Sequence, residues 1–73
     1  MARLPLLSGA KAVKAFSKAG WSAARQTGSH LIMIKQGSMV TPFITMHSEI
    51  DRGTLRKLIS LAGLYIEEFM DLL

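Results

Sequence analysis

The sequence predicts an α+β fold: a helix, a three-stranded antiparallel meander, and a second helix followed by a short third one. Three observations carry this. Ser8 and Gly9 open an Ala- and Lys-rich segment that Gly20 closes. Three runs of strand-forming residues follow, parted by Gly28-Ser29 and by Gln36-Gly37-Ser38. After Asp51, the residues Leu55, Leu58, Ile59 and Ala62 recur at the helical period.

Length and composition bound what such a chain can be. At 73 residues it is a single domain over 1–73, near the lower size limit for a self-sufficient core. An apolar content of 49% argues for a folded chain rather than a disordered one. There is no cysteine, so disulfides and thiolate metal sites are excluded, and a reducing cytoplasm suits the chain. Two histidines and five acids leave little for a His/carboxylate metal centre, and no cofactor motif is present. No apolar run approaches the roughly 20 residues needed to cross a bilayer. The amino-terminal Met1-Ala2-Arg3-Leu4-Pro5-Leu6-Leu7 is interrupted too early, by Pro5 and Ser8-Gly9, to read as a signal peptide. A net charge of +4 serves solubility or a polyanionic partner.

Each element has its own local reason. Ser8 can cap the first helix, expected over residues 9–19, by accepting a hydrogen bond from a free first-turn amide. On that helix Ala12, Val13 and Phe16 share one side and Lys11, Lys14 and Lys18 the other. The lysine stripe is a solvated face that also has the form of a phosphate contact. Residues 21–27 read as a first strand and 30–35 as a second. In the second, His30, Ile32 and Ile34 fall on one face, and Leu31, Met33 and Lys35 on the other. The third strand is expected over 39–47, where Pro42 makes it an edge strand or a bulged one. The second helix starts at an Asp51 cap and ends at Gly63, with Arg52, Arg56 and Lys57 off its apolar stripe. A final helix over 64–73 carries Glu67 and Glu68 in its first turn, where the helix dipole favours acids. Two helices then cover one sheet face. The other face must be polar or covered by a partner, with Leu31, Met33 and Phe43 as candidates for outward-facing residues.

The segment with the most chemistry is Arg25-Gln26-Thr27-Gly28-Ser29-His30, which puts one of the two histidines at a tight turn where a strand begins. Histidine titrates near neutral pH and serves as acid or base. Backbone amides at Gly28 and Ser29, with Arg25 or a lysine beside them, can hold a phosphate. The bland alternative is a His30 that merely bonds backbone at a strand end. His47, at the end of the third strand, is a candidate second acid–base group or an ordinary turn residue.

These residues resemble the HicA toxins, small ribonucleases of toxin–antitoxin pairs. The resemblance runs through Leu4-Pro5 with Ser8-Gly9, Gly20-Trp21, and Arg25-Gln26-Thr27-Gly28-Ser29-His30. It continues through His47 with Gly53-Thr54-Leu55-Arg56, then Ala62-Gly63-Leu64 and Glu67-Glu68-Phe69. It implies a fold like the double-stranded-RNA-binding domain, metal-independent cleavage of messenger RNA without a cofactor, and a HicB-type antitoxin that covers the active site. The family's catalytic histidine falls on His30. Gly28, Ser29, Arg25, Lys11 and Lys14 are then the expected substrate contacts, and His47 a second acid or base. One departure is local. The family's Val-Pro-x-His pattern at the end of the third strand is replaced here by Ile44-Thr45-Met46-His47, and the nearby proline is Pro42. Two other readings share the same residues: a module that grips double-stranded RNA through its basic helix faces without cutting it, and a domain that binds an antitoxin without catalysis.

Overall fold

A computed structural model describes residues 4–73; the first three residues of the amino-terminal segment read above lie outside it. The chain order is α1 (Gly9–Lys18), β1 (Ser22–Thr27), β2 (His30–Ile34), β3 (Phe43–Thr45), α2 (Arg52–Leu61) and α3 (Ile66–Met70). The three strands form one antiparallel sheet in the order β1-β2-β3, with β2 in the centre.

Both long helices start at the caps the sequence predicts. Ser8 Oγ accepts from the Lys11 amide at 3.2 Å, and Asp51 Oδ2 from the Thr54 amide at 3.3 Å. In α3 the Glu68 carboxylate reaches back to the Tyr65 amide at 2.8 Å. The apolar stripes of α1 and α2 meet the inner face of the sheet. Phe16, Met33, Ile44, Leu55, Ile59 and Phe69 are the largest fully buried side chains. The Phe16 and Phe69 rings stand 4.9 Å apart at a tilt of 48°, so the short third helix closes over the same core. The segment entering α1 is tied down twice. Ile50 donates to the Leu7 carbonyl at 2.6 Å, and Arg52 Nε donates to the Leu4 carbonyl at 2.7 Å.

Several details differ from the sequence-based expectation, each for a physical reason. The third strand is three residues long instead of nine. Met39 is fully exposed, and Pro42 contributes only a carbonyl, which accepts from the Met33 amide at 3.0 Å. A proline has no N–H to return that bond, so regular pairing begins after it. The last helix spans five residues, since Tyr65 is extended ahead of it and Asp71 and Leu72 follow it as a turn. Met33 faces the core at 0% exposure, not solvent, and Leu31 packs against the same core. The outward apolar residues are Ile32, Ile34 and Phe43.

Trp21 shows why strand alternation alone misleads. Thr27, Gln26 and Arg25 pair with His30, Leu31 and Ile32, but Ala23 pairs with Met33, so Ala24 is an extra, bulged residue. Without it, Trp21 would share the solvent face of Arg25 and Thr27. The bulge switches the parity and turns the indole into the core, where it is 3% exposed.

Candidate active site

The site is built on the β1–β2 hairpin. Its loop is the two residues Gly28-Ser29. Gly28 takes φ +60° while Ser29 does not have positive φ, the pattern of a type II′ turn, whose twist matches that of the flanking strands. A side chain at position 28 would be strained, so the turn requires glycine there. Gln26 Nε2 braces the turn by donating to the Gly28 carbonyl at 3.1 Å. This places His30 as the first residue of the central strand.

Directly opposite residues in an antiparallel pair share a face. Thr27 and Thr45 flank His30 on either side, so Thr27, His30 and Thr45 form one row across the solvent face. Arg25, Ile32 and Phe43 form the next row. Arg25 is therefore a diagonal neighbour of His30, close enough for a long side chain to reach the same ligand. His30 and Arg25 are both exposed. The sheet thus presents an imidazole between two hydroxyl-bearing residues, with a guanidinium beside it.

The far side of His30 is fixed by α1. Met46 donates to the Ser29 carbonyl at 2.6 Å, which carries the β2–β3 ladder one step beyond the strands. Gly9, the first residue of α1, donates to the His47 carbonyl at 2.8 Å. A Cβ at Gly9 would overlap the Thr45 carbonyl oxygen and stand 2.7 Å from the Met46 Cα. Only glycine lets the helix start come this close to the end of β3. The contact holds His47 by its backbone and leaves its exposed imidazole untethered to the hairpin.

The candidate residues therefore divide. Arg25, Gly28, Ser29 and His30 lie together on the hairpin. His47 follows the ladder next to the turn. Lys11 and Lys14 are exposed on α1, off its buried stripe of Ala12, Ala15 and Phe16. With Leu7, Ala15, Lys18, Leu72 and Leu73 they line a groove of about 320 Å³ that does not include His30. Lys18 Nζ donates to the Leu72 carbonyl at 3.1 Å across that groove. Arg56 and Lys57 are exposed on α2, and Arg52 is committed to Leu4. Among the described residues no three His, Cys, Asp or Glu side chains gather into a metal-holding group. Nor is any helix among them long and apolar enough to cross a membrane.

Thr27, Thr45 and Phe43 were not singled out by sequence reasoning as site residues. Alternation already put Phe43 and Thr45 on one face of their strand. What a single strand does not reveal is the register that sets Thr45, and not Phe43, opposite His30.

Comparison with known proteins gives a consistent answer. Residues 9–64 match the model of a family described as the HicA toxin of bacterial toxin–antitoxin systems. A solved structure described as a toxin–antitoxin complex from Streptococcus pneumoniae superimposes with a TM-score of 0.72 at 34% sequence identity. The alignment covers 80% of this chain and 98% of that one. Among curated protein sequences none matches significantly.

Proposed function

Because the chain belongs to the HicA toxin family, we propose that it is the toxin of a toxin–antitoxin pair and a metal-independent endoribonuclease that cuts messenger RNA with His30 as its acid–base group. The observation that carries this is the Thr27–His30–Thr45 row on the open face of the sheet, with Arg25 diagonal to the imidazole.

RNA brings its own nucleophile, the ribose 2′-hydroxyl. Neutral His30 takes the proton of that hydroxyl as the 2′-oxygen attacks the adjacent phosphorus. The bond from phosphorus to the 5′-oxygen breaks, and the leaving oxygen takes a proton from water. The products are a 2′,3′-cyclic phosphate and a 5′-hydroxyl, and His30 returns its proton to solvent. Arg25 stabilises the charge on the non-bridging oxygens as the phosphorus becomes five-coordinate. The Gly28-Ser29 turn offers backbone amides for the same oxygens. His47 is the candidate to replace water as the acid, since the ladder bond at Met46 keeps it near the turn. No step calls for a metal or a cofactor. Lys11 and Lys14, exposed on α1 in a groove that does not include His30, contact the RNA backbone beyond the scissile step.

The same solvent face suits a HicB-type antitoxin. Phe43 lies exposed in the row beside His30 and Ile34 farther along the same strand face, and a partner burying both would close access to the imidazole. The place of action is the cytoplasm, where messenger RNA is translated. Expression of the chain alone in a bacterial host tests the proposal. Growth arrest with fragmented messenger RNA, relieved by His30→Ala, is the expected result. Arrest that persists at full strength with His30→Ala would contradict it.

A further inference from the structure

We infer that Phe43 is a base-stacking platform that restricts this site to single-stranded RNA, an inference that rests on the ribonuclease reading above. Phe43 is 55% exposed although large aromatic side chains normally seek the core. Its place is specific. It is directly opposite Ile32, in the row next to Thr27–His30–Thr45, and two residues before Thr45 on the same strand face. Same-face positions on a strand are about 7 Å apart, roughly one extended nucleotide step. A base lying on the Phe43 ring, with its edge against Ile32, therefore sets the neighbouring phosphate at the His30 row. Arg25, at the other end of the Phe43 row, faces the same backbone.

The chemistry requires a nucleotide turned out of helical geometry, which such a platform can hold. In-line attack needs the 2′-oxygen, the phosphorus and the leaving 5′-oxygen to approach a straight line. A continuous A-form helix holds them away from that line, so a nucleotide must be splayed out before it can react. Splayed bases are captured by aromatic side chains on open sheets, and the stacking tolerates any base because each has a π-face. The helix faces of this domain provide charge for the backbone but no exposed aromatic next to His30. Phe43 supplies it on the correct face.

The test uses the full chain with Phe43→Trp, Phe43→Leu and Phe43→Ala. Each is assayed on a single-stranded oligoribonucleotide and on the same strand annealed into a duplex. Binding of a 2′-O-methylated single strand, which lacks the nucleophile, is measured in parallel. Phe43→Leu and Phe43→Ala are expected to lower kcat/KM and single-strand affinity together, roughly 5- to 100-fold. Phe43→Trp should stay within a few-fold of the parent, and the duplex should resist cleavage. A Phe43→Leu protein that cuts and binds as the parent does would overturn the inference, and so would equal cleavage of strand and duplex. If Phe43→Leu only weakens capture of an antitoxin, the residue belongs to a protein interface and the inference fails. Should the parent cut no RNA at all, the His30 reading falls, while the methylated strand still reports whether Phe43 stacks bases.

Discussion

His30 and Thr45 stand opposite each other in a non-hydrogen-bonded pair of the β2–β3 ladder. The bonds from Met33 to Pro42 and from Met46 to Ser29 fix this register, because they make the alternate pairs the hydrogen-bonded ones. Side chains of a non-hydrogen-bonded pair approach more closely than those of its neighbours. The Thr45 hydroxyl is therefore the side-chain polar group on β3 best placed to orient the imidazole or to meet a phosphate beside it.

That placement makes Thr45→Val informative. Valine keeps the shape and the β-propensity but removes the hydroxyl. Stability should change little, while cleavage falls by about 2- to 10-fold, the worth of one hydrogen bond. Steady-state cleavage kinetics with a thermal melt would check this. A variant that melts like the parent and cuts at the parent rate would remove Thr45 from the site.

Arg25→Ala should weaken single-stranded RNA affinity and flatten its dependence on salt by about one phosphate contact. Arg25→Lys should restore the salt slope but not the full rate, because a point charge does not replace the guanidinium fork. Titrations over a range of salt concentrations separate the two. An unchanged slope in Arg25→Ala would place the phosphate elsewhere.

Much of this arrangement is legible in the sequence. The Ser8 and Asp51 caps, the Gly28-Ser29 turn and the apolar helical stripes are local signals, and local signals survive into the fold. The rest depends on partners that a local pattern does not contain. The bulge at Ala24 exists only relative to β2, and it alone decides that Trp21 is buried while Arg25 remains beside His30. Likewise the length of β3 is set by which ladder bonds Pro42 can make. The groove of Lys11, Lys14 and Lys18 follows from where Leu72 and Leu73 return, so it is not visible in the spacing of the lysines.

The close approach of α1 to β3 predicts that Gly9→Ala destabilises the domain by about 1–3 kcal/mol, since backbone, not a flexible side chain, meets the new methyl. Urea unfolding would show a lower midpoint. The same substitution should reduce cleavage beyond the loss of folded protein, because it pushes on Thr45 and Met46. An unchanged midpoint would mean the helix start can shift freely.

Trp21 is buried, and its indole N–H meets no acceptor among the described residues. Trp21→Ala should cost about 3–5 kcal/mol, enough to unfold much of a domain this small. Trp21→Phe should cost far less, because it keeps most of the packing and removes an unpaired donor. Urea midpoints of the two variants decide the matter, and equal losses would show that the N–H is satisfied after all.

The most direct measurement is cleavage of single-stranded RNA by purified parent and His30→Ala proteins in the presence of a chelator, with the fragment ends identified. The parent should give fragments with 2′,3′-cyclic phosphate and 5′-hydroxyl ends. A folded His30→Ala protein should cut more slowly by a factor of about a hundred or more, the share of one acid–base group. Cleavage by His30→Ala at the parent rate, or fragments with 5′-phosphate ends, would contradict the His30 mechanism.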